Sequence, residues 1–476
     1  MGFLADLTLS QAVLLFVGVA IAFGFEFVNG FHDTANAVAT VIYTRTMHPI
    51  VAVIWSGFCN FLGVILGGIG VAYSIVYLLP VELLIGINTN AGLAMVLSLL
   101  LSAVAWNLGT WYFGLPASSS HSLIGAILGA ALIHHLTVGH GLMSGVNWTK
   151  AGEVGMSLLL SPMLGFFVAA ILLLLVRRLV VSPILHGPPA ADARPPFFIR
   201  LILAGTCSGV SFVHGSNDGQ KGMGMIMVVL IGIIPAHFAL SPKFDEARIQ
   251  HVARAAQEVD DLVKEAGVPE PSSLGMDMDT LPVSQRVRTR LALVQMALSG
   301  KKSFNDIPEP DRWAFRVQLL NLNKDLKAME SLVSEGHEPA RRKRWEHLMR
   351  TLKSPMEYVP TWVMVGVALA LGIGTTIGWR RIVVTIGEKI GKSHLTYSQG
   401  ACAEAVAMLT IGLASVSGLP VSTTHVLSSG VAGTMWANRS GLQRLTVRKI
   451  AMAWFLTLPA TMLLSCLFYS IARLLV

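Results

Sequence analysis

The segment Gly24–Asp33 reads GFEFVNGFHD, and it recurs in related form at Gly209–Asp218 as GVSFVHGSND. Both copies fit the frame Gly-x-x-Phe-Val-x-Gly-x-x-Asp. A second pair of motifs follows in the same order, GLPASSSH at Gly114–His121 and GLPVSTTH at Gly418–His425. Because chance rarely supplies two pairs of motifs in one order, we interpret the chain as an internal duplication.

The composition indicates that both halves lie in a membrane. Of the 476 residues, 53% are hydrophobic and only 13% are charged, and the mean hydropathy is +0.63. Stretches such as Leu9–Asn29, Val154–Val176 and Val359–Gly378 reach the roughly 20 apolar residues that a helix needs to cross a bilayer. The net charge of +8 comes largely from Arg and Lys at span ends, which is typical of membrane proteins and predicts no nucleic-acid partner.

The two copies of the second motif lie further apart than the two copies of the first, so the second half must hold additional sequence between its motifs. A polar segment accounts for this difference, because it carries most of the 27 acidic residues and has apolar residues at helical spacing. We therefore predict a first transmembrane repeat (1–180), the start of the second repeat (200–237), a helical extramembrane insert (238–356) and the remainder of the second repeat (357–476).

Without the insert, five apolar segments of the first half correspond to five of the second. An odd number of spans turns the two halves in opposite directions, as in an inverted repeat. We predict an all-α polytopic membrane protein with about 5+5 transmembrane helices, some of them broken. Positive charges in the short loops put Arg45 and the pair Arg380–Arg381 in the cytoplasm, and the insert outside. The corresponding segments are 9–43 and 200–237, 49–74 and 357–378, 88–113 and 392–417, 118–136 and 422–437, and 154–178 and 449–475.

Four carboxylates lie inside apolar segments, where a charge costs at least about 2.5–3.5 kcal/mol. They are Glu26, Asp33, Asp218 and Glu404. Asp33 and Asp218 occupy equivalent places in the two copies, which indicates a function, whereas Glu26 and Glu404 have no acidic counterpart. Glycines and polar residues beside both Asp residues predict a break in each helix, where freed backbone groups would line a cavity.

The second motif predicts the start of a helix in each half. Pro116 and Pro420 suit a first turn, and the hydroxyl runs Ser118–Ser120 and Ser422–Thr424 follow them. Unpaired N–H groups, the positive end of the helix dipole and three hydroxyl donors together form an anion site. Nearby carboxylates favour an oxyanion with a titratable proton, because hydrogen phosphate can donate its P–OH and sulfate cannot. Arsenate has nearly the same shape as phosphate and fits equally.

On these residues the chain resembles the inorganic phosphate transporter (Pit) family, and in particular the bacterial low-affinity phosphate symporters. The resemblance is carried by the two GLP motifs together with NGFHDTAN at Asn29–Asn36, HGSNDGQK at His214–Lys221 and IGWRR at Ile377–Arg381. It implies symport of inorganic phosphate by a homodimer in the inner membrane. For the bacterial branch it implies coupling to protons and transport of a neutral complex of phosphate with a divalent metal, whereas other branches use sodium.

Two departures from the sodium-type pattern Gly-Ala-Asn-Asp-Val-Ala-Asn favour protons over sodium. His32 replaces the Asn before the first Asp, and Lys221 stands where the first copy has Asn36. A fixed ammonium beside Asp218 could substitute for a sodium ion, and histidines exchange protons near neutral pH. The residues that we assign to phosphate binding are Ser118, Ser119, Ser120, Ser422, Thr423, Thr424, Asn36 and Asn217. Those that we assign to cation coupling are Asp33, Asp218, Lys221, His32, His214 and Glu404.

Two other functions stay open at this point. An intramembrane hydrolase could use the Ser, His and Asp residues inside the spans, although equivalent donors and acids in both halves fit alternating access better than one asymmetric catalytic set. A transporter of divalent metal without phosphate would use the Asp and His residues, but the hydroxyl-rich helix starts contribute no charge to it. We predict neither an enzyme nor a cofactor, and no residue is assigned as a resident metal ligand.

Overall fold

The computed structural model describes residues 7–79, 81–85, 89–138, 145–189, 194–268, 278, 281–330 and 339–475, without the side chains of 34, 36, 81, 82 and 475. Two compact units can be distinguished. A larger one, the apolar unit, holds Thr8–Leu83, Thr89–Val229 and Val359–Val476. A smaller one, the polar unit, is formed mainly by Leu230–Tyr358. The predicted insert, 238–356, falls within the polar unit, and its exact boundaries stay a prediction.

The regular structure in the described ranges is helical, with one isolated antiparallel bridge between Gly391 and Leu442. This agrees with the predicted all-α class. The helices are α1 (Leu9–Tyr43), α2 (Pro49–Leu66), α3 (Gly70–Val76), α4 (Val81–Ile85), α5 (Asn90–Tyr112), α6 (Ser119–Thr137), α7 (Trp148–Leu179), α8 (Pro183–His186), α9 (Phe197–Ile233), α10 (Glu246–Glu265), α11 (Val283–Leu298), α12 (Glu309–Ala328), α13 (Pro339–Lys353), α14 (Thr361–Thr375), α15 (Arg380–Glu388), α16 (Tyr397–Val416), α17 (Thr423–Ala437) and α18 (Arg444–Leu475).

Seven helices among the described residues are long and apolar enough to cross a membrane: α1, α2, α5, α7, α9, α16 and α18. An eighth candidate is the pair α14 and α15, which is bent by 63° at a short break. The predicted span at 422–437 is shorter than a full crossing, because α17 has 15 residues and therefore rises only about 22 Å, against about 30 Å of hydrocarbon. Its first residue, Thr423, is buried, so α17 begins inside the protein.

The helices of the two halves pack on each other reciprocally. α1 crosses α14 where Gly30 meets the backbone of Leu371, and α9 crosses α2 where Gly215 meets the backbone of Asn60. A second reciprocal pair follows the same arrangement. α6 packs on α18 at Gly129, and α17 packs on α7 at Gly433. Reciprocal packing of equivalent segments supports the duplication, and the opposite orientation of the halves in a membrane stays a prediction.

The prediction of a helix break at each Asp is wrong. α1 runs without interruption through Asp33, and α9 through Asp218. The glycines that suggested a break serve close packing instead: a Cβ on Gly30 would lie 2.3 Å from the carbonyl oxygen of Leu371, and one on Gly215 would lie 2.1 Å from that of Asn60. A glycine in an apolar helix lets a second backbone approach closely, and this role has the same sequence signature as a break.

The polar unit has its own core and its own charge network. α10 and α11 present apolar faces that bury side chains such as Val259 and Leu291. The Asp325 carboxylate of α12 binds two guanidinium groups of α11, with 3.1 Å between Arg286 Nη2 and Oδ1 and 3.0 Å between Arg290 Nε and Oδ2. Asp325 and Arg290 are buried, so part of the charge of this segment is paired inside the polar unit. That its remaining charges are solvated and bind no nucleic acid stays a prediction.

Candidate functional site

The two repeated Asp residues lie together in the apolar unit, although one belongs to α1 and the other to α9. Ser119 joins them: its Oγ lies 2.7 Å from Asp33 Oδ2 and 3.2 Å from Asp218 Oδ2. From the other half, Thr424 Oγ1 donates to Asp33 Oδ1 at 2.7 Å. All four side chains are almost completely buried. The two motifs of each half therefore meet in one buried polar cluster.

Lys221 neutralises one of the two carboxylates. Its ammonium lies 2.6 Å from Asp218 Oδ1 and 2.5 Å from Ser120 Oγ, and it also donates to the Val421 carbonyl at 3.2 Å. The side chain is fully buried. Because a buried charge is tolerated only when it is paired and hydrogen-bonded, these three contacts account for the presence of a lysine within an apolar helix.

The two histidines assigned to coupling each contact a carboxylate of their own half. His32 Nδ1 lies 2.8 Å from Asp33 Oδ1, and its Nε2 lies 3.3 Å from Thr110 Oγ1. His214 Nδ1 lies 2.8 Å from Asn60 Oδ1, and its Nε2 is 3.5 Å from Asp218 Oδ2. Asp33, His214 and Asp218 each offer one ligand atom within 4.8 Å of the others. The cluster thus has the spacing to hold a cation.

The three hydroxyls of each run do not act alike. The first hydroxyl caps its own helix, since Ser118 Oγ accepts from His121 N at 3.2 Å and Ser422 Oγ accepts from His425 N at 3.1 Å. Of the others, Ser120 Oγ donates to the Val421 carbonyl at 2.7 Å. Thr423 Oγ1 is buried and has no hydrogen-bond partner among the described residues. The assignment of Thr423 to phosphate binding stays a prediction, since no hydrogen bond in the described part of the chain accounts for its hydroxyl.

Two assigned residues, Asn217 and Glu404, lie outside the direct cluster. Asn217 holds the loop before α17, because its Nδ2 donates to the Leu419 carbonyl at 3.2 Å and its Oδ1 accepts from Val421 N at 3.3 Å. The side chain of Asn36 is outside the described part of the chain. Glu404 Oε2 accepts from Thr206 Oγ1 at 2.5 Å, and none of its hydrogen bonds within the described ranges reaches the Asp pair.

Some buried polar residues that support the cluster were not predicted. Gln220 bonds the α2–α3 connection through its side chain, donating to the Gly67 carbonyl at 2.8 Å and accepting from Val71 N at 2.7 Å. Asn60 and Thr110 orient the two histidines. In the sequence these three residues are isolated polar residues in apolar segments. Such a residue can be assigned to a site only when its neighbours in space are known.

The histidine that follows each hydroxyl run belongs to an aromatic stack. The rings of His121 and His425 are 4.5 Å apart, and His425 stacks on Trp454 at 4.0 Å. Trp454 Nε1 in turn donates to the Pro116 carbonyl at 3.0 Å. The stack connects the two helix starts, so each histidine ring packs against the other half of the protein.

A polytopic helical protein whose buried polar site draws equally on two related halves has the architecture of a secondary transporter. Residues 29–465 match the phosphate transporter family. The chain belongs to this family, and it is a multi-pass inner-membrane protein.

Individual relatives support the assignment over nearly the whole length. The chain is 43% identical to the low-affinity inorganic phosphate transporter PitA of Escherichia coli K12, over 97% of each chain. It is 42% identical to PitB of the same organism, over 98% of each chain, and 41% identical to the low-affinity inorganic phosphate transporter of Buchnera aphidicola from Acyrthosiphon pisum, over 98% of each. These relatives are named as transporters, so the prediction of a transporter and not an enzyme is confirmed.

A solved structure supports the fold. It is that of a sodium-dependent phosphate transporter, and it matches with a TM-score of 0.55 over 98% of this chain and all of that one, at 21% sequence identity. At this identity the similarity concerns the fold alone.

Proposed function

We propose that the chain imports inorganic phosphate by symport with protons, and that the cluster around Asp33 and Asp218 is the transport site. The observation that carries the proposal is the meeting of hydroxyl donors from both helix starts, Ser119 and Thr424, with both carboxylates. Phosphate accepts hydrogen bonds from such hydroxyls and from the Lys221 ammonium, and its remaining P–OH donates to a carboxylate. Arsenate offers the same groups and would follow the same route.

Coupling to protons is supported by the ammonium of Lys221. It lies 2.6 Å from Asp218 Oδ1, where it supplies the positive charge that a bound sodium ion would otherwise supply. His32 and His214 contact the two carboxylates and can carry protons. Glu404, assigned to cation coupling from the sequence, has its own contact with Thr206, and its part in coupling stays a prediction.

A divalent metal is part of the proposed substrate. Asp33, His214 and Asp218 have ligand atoms close enough together for one cation, and oxygen ligands of carboxylates suit Mg²⁺ and Ca²⁺. A metal–phosphate complex would bring its own positive charge to the carboxylates, while the hydroxyls bind its anion. Transport of the metal without phosphate is the competing function, which the same three residues favour. A homodimer is proposed from family resemblance.

The test is uptake by the purified protein in liposomes, with the gradient and the substrate varied independently. We expect labelled phosphate to accumulate under a proton gradient in sodium-free buffer, and the accumulation to collapse when a protonophore is added. Strong accumulation under a sodium gradient without a proton gradient would contradict proton coupling. Uptake of labelled divalent metal in the absence of phosphate would favour the metal transporter.

Two neighbouring threonines separate substrate binding from structural support. We expect Thr423→Val to leave the thermal stability unchanged or slightly higher, because Thr423 Oγ1 has no hydrogen bond to lose among the described residues, and to raise the KM for phosphate. Thr424→Val removes the hydrogen bond to Asp33. Hydrogen bonds to charged groups contribute about 1.5–3 kcal/mol, so both stability and uptake should fall, the uptake by roughly tenfold or more. Uptake kinetics and thermal unfolding of both variants check this; an unchanged KM for Thr423→Val would remove that residue from the site.

A further inference from the structure

A cavity outside the Asp cluster lies between the end of α5 and the break that separates α14 from α15. Its volume is about 800 Å³. Two segments of the apolar unit form the walls. One is the end of α5 and the residues that lead from it towards α6, and the other contains the Trp-Arg-Arg sequence at the start of α15. The lining residues are Trp111, Tyr112, Phe113, Gly114, Gly378, Trp379, Arg380, Arg381, Val384, Thr385 and Lys389.

Three cations line this cavity, and its described lining contains no carboxylate. Arg380, Arg381 and Lys389 are all exposed, and within the described ranges none of them forms an ion pair. Arg381 lies over the rings of Trp111 and Tyr112, with its guanidinium carbon 4.9 and 5.0 Å from their centroids. Its Nη1 also donates to the Tyr112 carbonyl at 2.5 Å. The guanidinium is thus held in place while its charge stays available.

The aromatic side chains place the cavity at the edge of the hydrocarbon layer. α5 is a candidate span that ends at Tyr112, and Tyr112 and Phe113 are 62% and 74% exposed. Aromatic rings and basic residues at the end of a span are typical of the membrane interface. The positive charges of the loops predict that Arg380 and Arg381 face the cytoplasm.

We propose that this cavity binds the headgroup of an anionic phospholipid. Basic pockets between transmembrane helices suit phosphate-containing headgroups, and Arg binds phosphate oxygens in pairs. A cavity of about 800 Å³ lies in the size range of ligand-sized sites, about 300–1,000 Å³, whereas one free phosphate ion would fill a small part of it. Exposed Tyr112 and Phe113 provide apolar contact for the glycerol and the upper part of the acyl chains.

The cavity walls are bonded to each other and to the segments that lead to the transport site. Trp111 Nε1 donates to the Gly378 carbonyl at 2.8 Å, and Thr385 Oγ1 donates to the Gly114 carbonyl at 2.9 Å. Trp111 also packs on Phe31, at 5.0 Å between ring centroids, two residues before Asp33. A lipid headgroup bound to both walls would therefore stabilise the contact between α5 and α15 and support transport in anionic membranes.

The test compares two Arg-Arg pairs at span ends in the purified full-length protein. Short-chain phosphatidylglycerol should raise the thermal midpoint of the wild type saturably, and short-chain phosphatidylcholine should not. Arg380→Gln with Arg381→Gln should lose at least half of this shift. The matched control, Arg177→Gln with Arg178→Gln, changes an exposed pair at the end of α7 and should keep the shift. Native mass spectrometry should show bound phosphatidylglycerol on the wild type and the control, and not on the cavity variant.

Lys389→Gln is a second test of the cavity. It is needed if the Arg380→Gln, Arg381→Gln variant unfolds because the contacts of Arg381 are lost. This change removes one charge from the cavity and leaves the contacts of Arg381 intact, so a weaker affinity for phosphatidylglycerol with an unchanged lipid-free midpoint is expected. Inorganic phosphate bound at the transport site should stabilise the wild type and the cavity variant alike. A phosphate-induced shift that is lost with Arg380→Gln and Arg381→Gln would assign the cavity to free phosphate and overturn the proposal. An equal loss in the Arg177 and Arg178 control would also overturn it, because binding would then follow overall charge.

Discussion

Asp218→Asn is expected to abolish phosphate uptake and to destabilise the folded protein at the same time. The substitution leaves the Lys221 ammonium, fully buried and 2.6 Å from the carboxylate, without its counter-charge. Removing one partner of a buried ion pair costs about 3–5 kcal/mol, which corresponds to a loss of more than about 100-fold in an equilibrium constant. Uptake into liposomes and thermal unfolding in detergent measure the two effects.

A double variant separates the structural part of this loss from the functional part. Asp218→Asn with Lys221→Met removes both charges and keeps similar volumes, and replacing a buried pair by neutral residues is often neutral or stabilising. The thermal midpoint should therefore return to the wild-type range while uptake stays absent. Recovery of uptake in the double variant would show that the pair serves folding only, and would contradict its role in the transport site.

The control for this experiment is an ion pair outside the cluster. Lys150 Nζ lies 3.0 Å from Glu153 Oε2, and both side chains are partly exposed. Exposed pairs contribute about 0–1 kcal/mol, so Glu153→Gln should change neither the midpoint nor uptake to a comparable extent. A large effect of this control would indicate a general sensitivity to charge.

The sequence predicts which residues of the cluster share a depth in the membrane, and it does so through the duplication. Equivalent positions of Asp33 and Asp218 in two related halves indicate one site, and the structure brings both within hydrogen-bond distance of Ser119. The proximity of Lys221 to Asp218 also follows from the sequence, because residues three apart lie on one face of a helix.

What the sequence does not predict is which segments lie side by side. Glu404 lies in an apolar span as the two Asp residues do, but it bonds Thr206 on α9 and Thr40 on α1, and only the packing of the helices determines those neighbours. The support of His214 by Asn60 on α2 depends on the same kind of contact. The position of a residue along an apolar segment indicates its depth in a membrane, whereas its lateral neighbours depend on helix pairing that a single sequence does not contain.

The glycines beside the two Asp residues show this limit most clearly, and they give a second prediction of large effect. Gly215→Ala should prevent α9 from packing on α2. The added Cβ would lie 2.1 Å from the Asn60 carbonyl oxygen and 2.8 Å from its Cα, and backbone atoms cannot move aside as a flexible side chain can. Overpacking typically costs about 1–3 kcal/mol, and a clash with backbone should reach or exceed the upper end of that range.

The same helix offers a matched control, because a Cβ added at Gly205 meets no atom within 4 Å. Gly205→Ala should be neutral or stabilise the protein by up to about 0.5–1 kcal/mol, since alanine has the higher helix propensity. In contrast, Gly215→Ala should lower the yield of folded protein and the thermal midpoint. Any folded fraction should transport poorly, because moving α2 separates Asn60 from His214, now 2.8 Å apart. If the two variants unfold at the same temperature, α9 and α2 do not cross at Gly215, and the glycine would have to be explained by a helix break after all.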